Sequence, residues 1–240
     1  MNRPDEIGLF AGFVAEATGL DLATVRTALT ALAGRTAAAT ERVPRRWQDA
    51  AIVAAIPAGA SVLDLGCGRG DLLGRLRREK TVRGQGVELD AAEVATCIGS
   101  GVPVIRADVD SGLAQFADAT FDWVVLEETL QTLRRPAVVL TEMLRVGRRG
   151  IVSFPNFGHW KVRLHLALHG RMPVTRDLPH TWHDTPNIHL FTLADLLDWA
   201  AANQVRVEGG SVLVDGRVEP LRGPDDNLRA SEALLVLTRG

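Results

Sequence analysis

The stretch VLDLGCGRG, from Val62 to Gly70, constrains the fold more than any other. Val62, Leu63, Asp64 and Leu65 are mostly branched and apolar, as a buried parallel strand requires, and the run breaks into Gly66, Gly68 and Gly70 before a helix predicted over Asp71 to Lys80. A strand that turns into a helix through glycines can take positive φ, and it leaves room for a ligand at the free N–H groups of the helix start. The spacing is GxGxG, with Asp71 standing where a dinucleotide fingerprint places its third glycine. Asp64 closes the strand with a carboxylate. That charge disfavours a pyrophosphate; it can attract a ligand ammonium or fix the amides of the loop.

A second strand is expected in GQGVELD, Gly84 to Asp90, with Glu88 at its carboxyl end, where a carboxylate suits ribose hydroxyls. VPVIRADVD, from Val102 to Asp110, supplies a third, with Asp108 just past its end, placed either to cap the next segment or to meet an adenine. Together these features resemble the cofactor site of class I S-adenosylmethionine-dependent methyltransferases. The resemblance implies a Rossmann-like α/β fold with a seven-stranded, mostly parallel sheet and helices on both faces. It implies S-adenosyl-L-methionine or S-adenosyl-L-homocysteine as cofactor, bound by Asp64 and the turn Gly66, Cys67, Gly68 and Gly70. Glu88 and Leu89, Asp108 and Val109, and Glu127 complete the implied set.

Length and charge narrow the function classes. A chain of 240 residues holds one α/β domain plus a short extension. Twenty-seven basic against 29 acidic residues give a net charge of −2, which offers no general attraction to nucleic acid or anionic membrane. No apolar run approaches the roughly 18 residues of a membrane span, the start lacks a signal pattern, and the two cysteines, Cys67 and Cys97, suit a reducing cytoplasm. Residues 1–44 read as a helical hairpin, over Asp5 to Gly34, and a linker around Pro44; residues 45–240 read as the domain proper. VAEATGLDLATVRTAL in the hairpin resembles a helix-turn-helix, but its second helix offers Arg26 as its single base, so nucleic acid is not the expected partner. A helix over Arg46 to Ile56 precedes the first strand, with Arg45 and Arg46 read as solvated.

FDWVVLEETLQ, Phe121 to Gln131, is read as strand four, its Glu127, Glu128 and Gln131 spilling onto the ligand edge, and Ile151 to Phe154 as strand five. The Asn-Pro-Pro-aromatic or Asp-Pro-Pro-aromatic tetrapeptide that amino-group methyltransferases often carry after strand four is absent. Gly158 to Thr192 is long for the next connection and holds all six histidines. His165 and His169 are four apart, but Leu166 stands where a zinc protease has its Glu, and His180, His183, Asp184 and His189 match no closed zinc pattern; no metal is expected. Leu193 to Ala202 reads as a helix, VRVEGGSVLVDG and ALLVLT as the two last strands, and Arg222 to Asn227 as a loop.

SFPNFGHWKVRL, GRMPVT and DTPNIHLFT, together with CIGSGVPVI, LEETLQ and MLRVGRRGIVSFPN, closely resemble the MetW family of methionine biosynthesis proteins, over roughly Val62 to Thr192. Glu127 and Glu128 depart from the Ser-Gln pair expected there in relatives. The resemblance implies a partner that makes a MetX-like homoserine O-acyltransferase active. The Phe157 to Thr192 insertion is expected to be the docking surface, because Phe157, Trp160, Trp182 and Arg171 are residue types enriched at interface centres, or else a lid over the cofactor pocket. The competing reading is a working small-molecule methyltransferase in which Glu127, Glu128 or His159 accepts a proton. A hydride-transferring oxidoreductase conflicts with the shifted glycine and with a chain that has no tyrosine.

Overall fold

A computed structural model describes residues 6–36, 46–175 and 177–240. The expected strand β1, Ser61–Leu65, is flanked by β2, Arg83–Glu88, and β4, Phe121–Glu127, both parallel to it. β3, Val104–Arg106, lies outside β2, and β5, Gly147–Pro155, outside β4. The chain therefore builds outward from β1 to β3 and then returns to place β4 on the other side of β1. That reversal leaves a crevice at the carboxyl ends of β1 and β4, the place where open α/β sheets bind ligands.

Beyond β5 the sheet turns antiparallel. β8, Glu232–Arg239, inserts between β5 and β6, Val205–Val214, and the order across the sheet is β3-β2-β1-β4-β5-β8-β6-β7. The seven expected strands gain an eighth, β7, Arg217–Pro220, which folds back on β6 through Asp215 and Gly216, both at positive φ. This is the Asp-Gly two-residue hairpin. The segment expected as a plain loop from Arg222 to Asn227 contains the start of a single helical turn, α9, Asp226–Arg229.

Side chains alternate across the strands as the pleat demands. Leu63, Leu65, Val124, Leu126 and Val152 face one layer, built with α6, Pro136–Val146, and α8, Leu193–Ala202; Val62, Trp123, Val125 and Ile151 face the other, with α3, Trp47–Ala55, α4, Asp71–Lys80, and Cys97 of α5, Ala91–Gly99. Leu72, Leu73 and Leu76 are the buried face of α4, as their spacing predicts.

The N-terminal hairpin forms as α1, Glu6–Thr18, and α2, Leu22–Thr36, with Gly19 at φ +71° and Asp21 accepting from Thr24 N at 2.8 Å. It packs on α7, Trp160–His169, a helix inside the insertion. Pro44 and the rest of the expected linker over 37–45 lie outside the described residues.

Asn156 is the latch that fixes where the insertion leaves and rejoins the sheet. Its Nδ2 donates to the carbonyls of Asn227 and Ala230 at 2.9 and 2.8 Å, and its Oδ1 accepts from Gly158 N and Leu193 N, both at 2.9 Å. The side chain is buried, and a Cβ on the neighbouring Gly158 would sit 2.3 Å from Asn227 Oδ1. Asn156→Ala strands four groups, three of them buried, and should lower unfolding free energy by about 3 kcal/mol or more. Urea unfolding of the full chain checks this, and a loss under 1 kcal/mol would contradict the latch.

Candidate functional site

The glycine turn adopts the positive φ that its composition predicts, +74°, +52° and +78° at Gly66, Gly68 and Gly70. Two of the three are required by packing. A Cβ on Gly66 would lie 2.8 Å from Thr129 Oγ1, and one on Gly70 would press Cys97 and Val102 at 3.1 Å, whereas the space above Gly68 is open. Glu88 ties this turn to the end of β2: its Oε2 accepts from Gly68 N at 2.9 Å, and its Oε1 from Leu89 N and Asp90 N at 2.7 and 2.9 Å. Oε2 thus keeps a lone pair for a further donor.

The remaining expected cofactor residues divide by what their side chains do. Cys67 points into the core, where its Sγ fills the space that a Cβ on Gly86 would need, and burial pushes its thiol pKa well up. Its backbone alone belongs to the turn. Leu89 is exposed beside Glu88, while Val109 is buried at the head of a short 3-10 turn, Val109–Ser111. Asp108 caps that turn by accepting from Asp110 N at 2.9 Å, so the capping role is met and Oδ2 stays available.

On the far side of the turn lies a group of carboxyls. Asp64 is buried and, among the described residues, accepts no hydrogen bond; desolvation raises its pKa to about 7, against the attraction of Arg46. Glu127, at the end of β4, is raised to about 8, by desolvation first and then by Asp49, again opposed by Arg46. Arg46 precedes α3 and reaches across this edge: its guanidinium lies 3.1 Å from Glu127, 3.4 Å from Asp49 and 3.5 Å from Asp71. The sequence reading took Arg46 as solvated. Its side chain is 49% exposed, and it is at the same time the cation that pairs with Glu127, Asp49 and Asp71; the residues after it continue the clamp. Trp47 Nε1 donates to Glu232 at 2.5 Å, and Gln48 Nε2 donates to Glu232 at 2.6 Å and to Glu128 at 3.1 Å. Polar Arg46 and Gln48 at the head of an otherwise apolar helix directly before β1 are the signal that could have pointed here; Glu232, just before ALLVLT, carries none.

The three candidate proton acceptors differ in state. Glu127 is held by Arg46. Glu128, in the left-handed region at φ +49°, is exposed as a residue while its carboxyl is drawn in against Gln48, and desolvation of that carboxyl raises its pKa to about 7, against hydrogen bonds from Gln48 and Ser153. His159 is buried at the start of α7 with Nε2 unpartnered, and desolvation lowers its pKa to about 4, so it is neutral. His165 and His169 meet edge to face with ring centroids 4.7 Å apart, and Thr181 Oγ1 contacts His183 and donates to Asp184. Among the described residues no three His, Cys, Asp or Glu side chains group as a metal site.

Carboxyls with raised pKa bind protons in the folded chain that the unfolded chain releases near pH 4 to 5, so folding stability falls as pH rises from about 5 through 8. Chemical unfolding of the ligand-free protein across that range should show the decline, and Asp64→Asn should flatten it. A stability that rises from pH 5 to 8 would show these groups ionised in the fold.

Comparison with known proteins agrees with this architecture. Among solved structures, an S-adenosylmethionine-dependent methyltransferase of Thermotoga maritima matches with TM-score 0.60 and 17% identity, over 82% of this chain and 89% of that one. The complex between the Haloferax volcanii Trm112 methyltransferase activator and a methyltransferase gives TM-score 0.58 and 19% identity, over 81% and 89%. At those identities the likeness shows the fold. The bifunctional methionine biosynthesis protein MetXA/MetW of Rhodopirellula baltica is 38% identical over 200 residues, 78% of this chain and 32% of that protein, so the chain spans about a third of its relative's length. A family model described as methionine biosynthesis protein MetW matches residues 33–237. The chain therefore belongs to the MetW family of methionine biosynthesis proteins, built on the class I methyltransferase fold.

Proposed function

We propose that the carboxyl edge of β1 to β4 binds S-adenosyl-L-methionine or S-adenosyl-L-homocysteine, and that the chain serves as the partner that makes a MetX-like homoserine O-acyltransferase active. The observation that carries the first part is the arrangement of opposite charges at the glycine turn. The cofactor's amino-acid end has a carboxylate and an ammonium, and its sulfur is a sulfonium before methyl transfer. Arg46 suits the first, the buried carboxyls of Asp64 and Glu127 suit the other two, and Glu88 Oε2 can still accept from a ribose hydroxyl. Leu89 and Val109, with Asp108 between β3 and the 3-10 turn, would flank an adenine. Bound here, the cofactor would supply a transferable methyl group.

The partner role is supported by the relative in which MetXA and MetW are joined in one protein. The insertion offers a surface of the right composition: Trp182 is 80% exposed, Ile188 and Leu190 are also exposed, and Phe157, Met172 and Leu178 line a groove of about 210 Å³ beside them. Aromatic anchors of this kind concentrate binding energy at interfaces. No helix among the described residues is long and apolar enough to cross a membrane, and a cytoplasmic location fits this role.

The second reading, a small-molecule methyltransferase, is favoured by Glu128, an accessible group whose pKa of about 7 matches proton acceptance near neutrality. Positioning alone could supply much of the acceleration.

Calorimetry with S-adenosyl-L-homocysteine tests the site. Wild type should bind, Gly66→Val should abolish binding because its side chain meets Thr129, and Arg46→Ala should weaken it by about tenfold or more. Equal binding by all three would end the assignment. The partner reading predicts that acyltransferase turnover rises when this chain is added and that Trp182→Ala weakens co-purification with cofactor affinity unchanged. Turnover indifferent to the chain, with methyl transfer to a small acceptor detected, would decide for the second reading.

A further inference from the structure

The strands leave a cavity of about 600 Å³ at the opposite end of the sheet, where β1, β4 and β5 begin and β8 ends. Its walls include the loop from α3 to β1, Pro57 to Ala60, and Arg148 and Arg149 at the start of β5. Trp123 and Thr238, 6% and 8% exposed, form its floor. Trp123 pairs with Arg149 across β4 and β5, and Arg149 and Thr238 are the positions next to the paired Gly150 and Leu237, so the three share one row of the sheet. Along β4, Trp123 stands about 13 Å before Glu127 at the rise of a strand, which separates this cavity from the glycine turn.

Donors and acceptors in this lining are unevenly used. Its two carboxylates are held: Asp122 Oδ2 accepts from Ser61 N and Oγ at 2.8 and 2.7 Å, and Glu208 accepts from Arg149 Nε at 2.8 Å on one oxygen and from Arg206 Nη2 at 3.2 Å on the other. The arginines keep donors in reserve. Arg149 lies over the Trp123 ring, 5.4 Å from its centroid, and uses Nε alone, while Arg148 Nε is 3.8 Å from Asp122 Oδ1, beyond hydrogen-bond distance. Among the described residues the Nη atoms of both donate no hydrogen bond, out of the five N–H groups that each guanidinium carries. Thr238, in the floor, has a buried hydroxyl without a partner, where buried polar atoms are nearly always paired.

We propose that this cavity binds a small organic molecule through its carboxylate or phosphate. Two planar forks with unused donors, side by side at the start of β5, match the paired oxygens of such a group, whereas a cation would find both carboxylates already engaged. Pro57, Ala58 and Ala60 offer the organic body an apolar wall, and the volume is that of a small-molecule site. Carboxylate and phosphate present the same oxyanion chemistry to the two forks. The two ends of the sheet then select opposite charges, carboxyls at one and guanidiniums at the other. The inference does not rest on the cofactor reading.

The test follows the Trp123 indole N–H resonance of the full chain, identified by its loss in Trp123→Phe, during titration with phenyl phosphate, with benzoate and with the neutral benzamide. A saturable shift is expected with at least one of the two anions, and benzamide should bind at least about tenfold more weakly. Arg148→Gln, a change at an exposed side chain that leaves Arg149 over Trp123, should lower anion affinity by about tenfold, the loss of one charge-assisted hydrogen bond. Arg148→Lys keeps the charge without the fork and should lose less. Phenyl phosphate binding more tightly than benzoate would assign the site to a phosphate ester; equal or weaker binding would assign it to a carboxylate. No saturable shift with either anion, benzamide that binds as well as the anions, or an Arg148→Gln protein that binds as wild type would overturn the inference. S-adenosyl-L-homocysteine binding by the Arg148→Gln protein should match wild type, which keeps this outcome separate from failure of the cofactor site.

Discussion

Removing a carboxylate from water costs several kcal/mol unless a cation or a set of donors compensates, and this sheet edge gathers Asp64, Glu127, Glu128, Asp177 and Glu232, of which Glu127 alone among the described residues pairs with an arginine. Arg46 reaches Glu127, and Trp47 and Gln48 hold Glu232 and Glu128. The strands alone would bring three of these acids to one edge, because β1, β4 and β8 all end or begin there. Burial at this edge drives the pKa values of Asp64, Glu127 and Glu232 up, and the charge of Asp49 raises Glu127 further, as that of Asp177 raises Glu232. An edge built in this way favours positively charged ligands and disfavours phosphates, consistent with the Asp that stands where a dinucleotide turn would have glycine.

The insertion is tied to that edge at several points. Asn156 binds both its ends, Ile188 N and His189 N donate to the Gln131 carbonyl just after β4, and the charge of Asp177 acts on Glu232. α7, within the insertion, supports the α1–α2 hairpin. The exposed Trp182 and the groove beside it are therefore carried on a frame anchored just past the ends of β4 and β5, so the insertion is held at the carboxyl edge of the sheet.

How much of this was legible in the chain depends on the range of the signal. Gly66, Gly68, Gly70, Glu88 and Asp108 announce themselves through local spacing, since each is placed by the end of its own strand. The helices followed from apolar period, and α8 matches its expected span from Leu193 to Ala202. What escaped was set by distance along the chain: Arg46 and Glu127 are 81 residues apart, Gln48 and Glu232 184. No local pattern marks such pairs, and an arginine at a helix start reads as solvated until the fold supplies its partners. β7 escaped for a different reason: its Asp-Gly turn is a strong hairpin signal, but Arg217–Pro220 is short and charged, as an edge strand that must resist further pairing tends to be.

Asp177 belongs to both halves of the molecule, and that has a thermodynamic consequence. Burial, and after it the charge of Asp177, raises the Glu232 pKa to about 8, which means the two side chains sit together more favourably while Glu232 keeps its proton. A cation bound at this edge would favour the ionised form of Glu232 and loosen that contact, whereas a protein docked on the insertion and holding Asp177 in place would oppose the change. The two events then share one free energy of coupling, and linkage requires it to be equal in both directions. A typical value of about 1 to 3 kcal/mol corresponds to roughly 5- to 150-fold in affinity, large enough for occupancy of the edge to be felt by whatever sits on the insertion. The route would be short, because the charge of Asp177, an insertion residue, is felt directly by Glu232 at the start of β8.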